Sequence, residues 1–169
     1  MNLPQRKQIR IPQYDYSQIG VYFITICADN HRCIFSHIVG GGALDAPQIC
    51  LSQIGKKVNK YVLSSENIEG VHIDNFVIMP NHIHLLVNID SHNGSSNFAL
   101  RNIAPTPTNA KIPHLVSTLK RFVNREIGYN VFQRSYYEHI IRNERDYSIH
   151  FEYIETNPIK WETDDYYIK

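Results

Sequence analysis

The chain is poor in features that would place it outside the cell or in a membrane. Its three cysteines (Cys27, Cys33 and Cys50) are odd in number and form no C-x-x-C pair, which argues against a disulfide framework and against a zinc knuckle. Buried reduced thiols are the plain alternative. No apolar run approaches the roughly 20 residues of a membrane span. The opening MNLPQRKQIRIPQY lacks the apolar core of a signal peptide, so a cytoplasmic chain with no membrane partner is expected. A net charge of only +1 gives no global signal of a polyanionic partner. There is no internal repeat and no low-complexity tract, and 169 residues suit one domain over 1–169.

The charge is distributed unevenly. Residues 1–14 carry Arg6, Lys7 and Arg10 without an acid, which defines a basic arm over 1–13. Residues 91–125 carry Arg101, Lys111, Lys120, Arg121 and Arg125, again without an acid, while the acids gather from Glu144 onward. A segregated basic surface can track a phosphate backbone, although solvated faces often look the same.

Val21–Cys27 (VYFITIC) is β-branched and aromatic and predicts a strand, with a second around Cys33–Val39 before the turn at 40–42. Ile54, Val58, Tyr61 and Val62 recur at helical spacing and predict an amphipathic helix over 52–64. Val71–Met79 and His82–Ile89 read as a hairpin turning at Pro80-Asn81. Residues 90–112, rich in Ser, Asn, Pro and Thr, predict a flexible loop. A helix with Pro113 at its first position should run to the stop at Gly128, followed by a short segment over 131–141. A last helix over 143–156 should end before Asn157-Pro158, because a residue preceding proline disfavours helical angles. This order predicts an α+β fold, an antiparallel sheet with helices packed on one face.

Alternation along a strand puts Ile83, Leu85, Val87 and Ile89 on one face and His82, His84, Leu86 and Asn88 on the other. The first set is uniformly apolar and should face the core. The two imidazoles then lie on the opposite surface, about 7 Å apart at the backbone, and their tips can converge on one ion. Spacing alone fits a histidine-bearing surface strand that binds nothing equally well. A metal site also needs a third ligand and open positions. Tyr153 and Asn157, four residues apart, share a helical face if the last turn persists, and the Asn157 amide oxygen suits Mg²⁺ or Mn²⁺. Tyrosine can attack a phosphodiester. With eleven tyrosines in the chain, ordinary packing competes with that role, and so do Tyr136, Tyr137 and Tyr147.

Three blocks resemble a known family. Met79-Pro-Asn-His-Ile-His-Leu-Leu-Val87 resembles the His-hydrophobic-His block of the IS200-like single-strand transposases, closest to the branch of REP-associated tyrosine transposases. The stretch from Phe132 to Glu144, followed by Tyr153-Ile-Glu-Thr-Asn-Pro158, resembles the C-terminal signature of that branch. Tyr14-Asp-Tyr-Ser and Gly20–Cys27 match its opening strand. The resemblance implies a ferredoxin-like sheet, with His82 and His84 as metal ligands, Asn157 as a third ligand and Tyr153 as the nucleophile. It implies cleavage of single-stranded DNA beside a hairpin of a repetitive palindromic element, through a 5′-phosphotyrosine and a free 3′-hydroxyl, by a monomer or homodimer. Arg6, Lys7, Arg10, Lys120, Arg121 and Arg125 would then hold the hairpin backbone, with Arg134 near the cleaved strand and aromatics such as Tyr14, Tyr16, Tyr136 and Tyr137 stacking on bases. The main rival is a domesticated hairpin-binding protein without catalysis. A histidine-triad hydrolase would want a further histidine where Leu86 stands, and a cupin would want glycine-punctuated strands with a distant third ligand.

Overall fold

The computed structural model describes residues 19–40, 46–90 and 111–167. The basic arm with Arg6, Lys7 and Arg10, and most of the loop expected at 90–112, lie outside the described residues.

Strands β1 (Gly20–Cys27), β2 (Ser36–Val39) and β3 (Gln48–Leu51) precede helix α1 (Gln53–Ser64). Then come β4 (Val71–Ile78), β5 (His82–Ile89), α2 (Lys111–Ile127), β6 (Tyr137–Ile141) and α3 (Glu144–Thr156). The main sheet has the order β4-β5-β1-β6 with every neighbour antiparallel, the ferredoxin-like α+β arrangement expected. β2 and β3 form a separate two-stranded ribbon. The four-residue β3 is too short to have shown a period in the sequence.

One sheet face is the main core. Tyr22, Ile24 and Ile26 of β1 join Ile83, Leu85 and Val87 of β5 beneath Val58 and Val62 of α1 and Leu115, Leu119 and Val123 of α2. α1 is started by Ser52, whose hydroxyl accepts from Gly55 N–H (3.0 Å) and donates to the Ile34 carbonyl (2.6 Å). Gly55 sits so close to the Phe35 backbone that any Cβ there would collide with the Phe35 carbonyl. α2 starts at Lys111, two residues earlier than the proline signal suggested. Pro113 is still within the first turn, where no intrahelical N–H bond is lost.

The other face departs from the simple alternation. α3 and the segment after it pack there, giving a second apolar cluster of Val21, Phe23, Val77, Met79, Leu86, Ile141 and Ile154, flanked by Tyr147, Tyr153 and Trp161. Every residue of β5 is therefore buried, and the histidines expected on a surface lie in the interior, His82 at 0% and His84 at 1% exposure. Side chains of β4 tether α3: a bulge between Ile73 and Asn75 precedes Asn75, which donates to Glu155 (2.7 Å), and Tyr147 OH donates to Asp74 (3.2 Å). α3 is capped by Asn143, whose side chain accepts from Asp146 N–H (2.9 Å). It ends at Thr156 as expected, yet Asn157 keeps helical angles (φ −57°, ψ −41°) despite the proline that follows. The turn thus persists far enough to hold Asn157 on the face of Tyr153. No helix among the described residues is long and apolar enough to cross a membrane.

Candidate active site

Register places the site where β1 and β5 lie side by side, with Thr25 opposite His84 and Cys27 opposite His82. The two imidazole rings stand 4.4 Å apart by centroid. Asn81, in the hairpin turn, is wholly buried, and its Nδ2 donates to the Tyr166 carbonyl (2.7 Å). That fixes the amide orientation, so Asn81 Oδ1 faces His82 Nδ1 at 2.9 Å. An amide oxygen only accepts, so His82 Nδ1 carries the proton and its Nε2 offers a lone pair. His84 Nδ1 lies 2.9 Å from the Thr25 hydroxyl, which can serve it in the same way.

The same logic applies to Asn157. Its Nδ2 donates to Asp164 Oδ2 (2.7 Å), which leaves Oδ1 as a pure acceptor. His82 Nε2, His84 Nε2 and Asn157 Oδ1 are all buried and have no hydrogen-bond partner. Buried polar atoms are rarely left so. With His84 protonated at Nδ1 toward Thr25, all three are acceptors without a donor, which a cation would satisfy, so the residues present fit a divalent ion. Burial, with only partial compensation from the Asp164 charge, lowers His82 to about 4. Burial likewise holds His84 well below its ordinary value, with His82 and His150 adding to the effect. Both imidazoles are therefore neutral at pH 7, as metal ligation requires.

Tyr153 lies one turn before Asn157, its ring edge-on to His84 (5.1 Å) and to Phe23 (6.0 Å). Its hydroxyl donates to Asp164 Oδ2 (3.1 Å). Burial first, then the Asp164 charge, raises the phenol well above its ordinary value, so it is protonated at rest. The residues lining an open cleft beside it include Thr25, His84, Tyr137, Tyr153, Asp165 and Tyr166.

Of the competing tyrosines, Tyr147 faces Asp74, Tyr136 packs against the main core, and Tyr137 stands on the rim of the cleft. Sequence reasoning missed Thr25, Asn81, Asp164 and Tyr166. Tyr166 packs on the His82 ring at 4.6 Å, and Asp164 bonds Tyr153, Asn157 and the Tyr166 N–H (2.7 Å). Thr25 and Asn81 follow once the strands are paired. Asp164 and Tyr166, beyond the Asn-Pro stop, have no local signal.

The basic residues are scattered. Arg134 is exposed between Gln133 and Ser135, which line a second cleft with Thr25, Cys27 and Tyr166. Arg121 and Arg125 are exposed on α2, their guanidinium groups over Phe122 (5.1 and 5.7 Å), on the sheet face away from the histidines. Lys120 is turned inward, its ammonium donating to the carbonyls of Gln133 (2.7 Å), Arg134 (3.3 Å) and Ser135 (3.0 Å). A direct phosphate contact would require it to give up those bonds.

The antiparallel ferredoxin-like sheet is the fold the family resemblance implied. The chain is 39% identical to an uncharacterized protein of Haemophilus influenzae over 178 residues, covering 96% of this chain and 93% of that protein. It is 30% identical over 84 residues to a protein of the same organism provisionally named a REP-associated tyrosine transposase, covering 49% of this chain and 47% of that protein. Its fold matches the solved structure of a REP-associated tyrosine transposase bound to a REP hairpin, with a TM-score of 0.61, 21% identity and coverage of 90% of this chain and 73% of that one. No family model matches the chain. The chain is thus similar to a REP-associated tyrosine transposase over about half its length and shares the fold of another over most of it.

Proposed function

We propose that the protein is a metal-dependent single-strand DNA transposase or endonuclease. It binds a DNA hairpin and cleaves and rejoins DNA through a covalent 5′-phosphotyrosine on Tyr153. The observation that carries this reading is the set of three unpartnered buried acceptors, His82 Nε2, His84 Nε2 and Asn157 Oδ1, with Asn157 one helical turn from Tyr153 and the His84 ring 5.1 Å from the Tyr153 ring. The hairpin bound in the structurally similar transposase supports the choice of substrate.

His82, His84 and Asn157 would hold Mg²⁺ or Mn²⁺, with Asn81 and Thr25 fixing the imidazoles behind them. The bound ion would polarise the scissile phosphate and offset the charge that builds on it. The chain's own part is positional. α3 holds the Tyr153 phenol at the mouth of the cleft, and Asp164 keeps its hydroxyl directed and protonated until substrate arrives. As the phenol oxygen bonds to phosphorus, the bond to the 3′ oxygen breaks. The phenol releases its proton, the departing oxygen takes one up, and the resulting 3′-hydroxyl can reverse the step. Arg134, exposed between two residues of the neighbouring cleft, would meet the strand being cut, while Arg121 and Arg125 would hold more distant backbone.

The test is a denaturation-resistant protein–DNA adduct on labelled hairpin oligonucleotides taken from repeats beside the gene, with Mn²⁺ or Mg²⁺. A metal-dependent adduct, lost in Tyr153→Phe and in His82→Ala, is the expected result. Tight hairpin binding without an adduct in either metal would refute catalysis and leave a hairpin-binding protein.

A further inference from the structure

We propose that Asp164 is an additional, anionic ligand of the cation site; the inference rests on reading His82, His84 and Asn157 as that site. One ligand atom from each of His82, His84 and Asp164 lies within 4.8 Å of the others. Around an ion at roughly 2.1 Å from its ligands, neighbouring donors stand about 3 Å apart and opposite ones about 4.2 Å. Small side-chain adjustments therefore bring all three onto one centre.

The lone-pair count allows it. A carboxylate has about four acceptor positions. Three are used, by the Tyr153 hydroxyl, the Asn157 amide and the Tyr166 N–H. The charge requires something like it. Two neutral imidazoles and a neutral amide contribute no negative charge, whereas hard divalent ions are generally held through carboxylates. Asp164 is the acid whose carboxylate comes within reach of both histidines, whereas Asp165 lines the outer cleft and Glu162 is exposed. A set of two imidazoles, one amide and one carboxylate favours Mn²⁺ over Mg²⁺. It also links the ion to the nucleophile, because the same carboxylate receives the Tyr153 hydroxyl.

The experiment is Mn²⁺ titration of the full chain without DNA, followed by calorimetry and by loss of the free-ion paramagnetic resonance signal. Asp164→Asn should weaken Mn²⁺ binding tenfold or more, and Glu162→Gln, at an exposed acid outside the cleft, should leave it unchanged. Asp164→Glu, which keeps the charge, should recover most of the affinity. Binding by Asp164→Asn equal to wild type, while His82→Ala binds nothing, would overturn this inference and leave the histidine site standing. Equal loss in Asp164→Asn and Asp164→Glu, with native circular dichroism, would assign the effect to loop geometry and also overturn it. No Mn²⁺ binding by the wild type would overturn both readings.

Discussion

Acid should unfold the metal-free protein through its buried histidines, and the size of the effect can be worked out. His82 has a folded value of about 4 against an ordinary 6.5. Below pH 6.5 the unfolded chain therefore binds more protons than the folded one, and stability falls as pH falls, down to the folded value. Between pH 7 and pH 5 this difference costs about 2 kcal/mol from His82 alone. His84, held lower still, acts in the same direction. In a domain of this size about 2 kcal/mol corresponds to a drop of roughly 4–8 °C in Tm. The assay is thermal unfolding by calorimetry at pH 7 and pH 5 in the presence of a chelator, comparing wild type with His82→Gln. The variant's absolute stability is irrelevant, because only the pH dependence is compared, and carboxylates such as Asp146 contribute to both proteins alike. The variant should lose markedly less stability on acidification. Equal losses, or an NMR titration of His82 near pH 6.5, would refute the argument. Saturating Mn²⁺ should add stability that grows as pH rises, because ligation needs the neutral imidazole.

Thr25→Val removes the hydroxyl behind His84 with little change of shape and should weaken Mn²⁺ binding about 10- to 100-fold; calorimetric titration would reveal it, and unchanged affinity would deny Thr25 a supporting role. Lys120→Met strips three carbonyls of their donor and should cost about 1–3 kcal/mol in urea unfolding. If Lys120 acted mainly on DNA, stability would stay level while hairpin affinity fell. Gly55→Ala should destabilise by about 1–3 kcal/mol, since the new Cβ meets Phe35 backbone, which has little room to move; a variant as stable as wild type would mean that α1 shifts freely.

The sheet was legible because its strands carry strong, period-2 or uniformly apolar patterns, and because Pro80-Asn81 marks the hairpin between β4 and β5. The helices were legible from their stripes, with boundaries within two residues at α2 and one at α3. What alternation could not reveal was that the second sheet face is also covered. His82, His84 and Asn88 look like a solvent face when β5 is read alone. Their burial depends on where α3 lands, and that is decided by long-range contacts such as Asn75 with Glu155 and Tyr147 with Asp74.

The site divides along the same line. His82 and His84, or Tyr153 and Asn157, are each related by the period of a single element, so pattern alone pairs them. Joining the two pairs required the family resemblance, because no local rule says that the far end of the chain covers the middle of the sheet. The structure adds a physical reason for the union. Each imidazole is held by a neighbour that can only accept or can rotate to accept, and Asn157 is held by a carboxylate, so all three free atoms are acceptors facing one place. A structural hydrogen-bond network would alternate donors and acceptors and leave nothing over. An excess of buried acceptors of one kind is unfavourable for a folded protein on its own, and it is offset only when something electropositive enters. That asymmetry explains why Asn81 and Thr25 matter as much as the histidines they orient. Exchanging Asn81 for aspartate would keep the acceptor toward His82 but abolish the donor to the Tyr166 carbonyl, loosening the 161–167 segment from the site while leaving β5 in place. Hydrogen exchange should therefore quicken at Tyr166 and not along β5. Equal quickening in both would mean that the hairpin turn, and not the Tyr166 carbonyl, is what Asn81 secures.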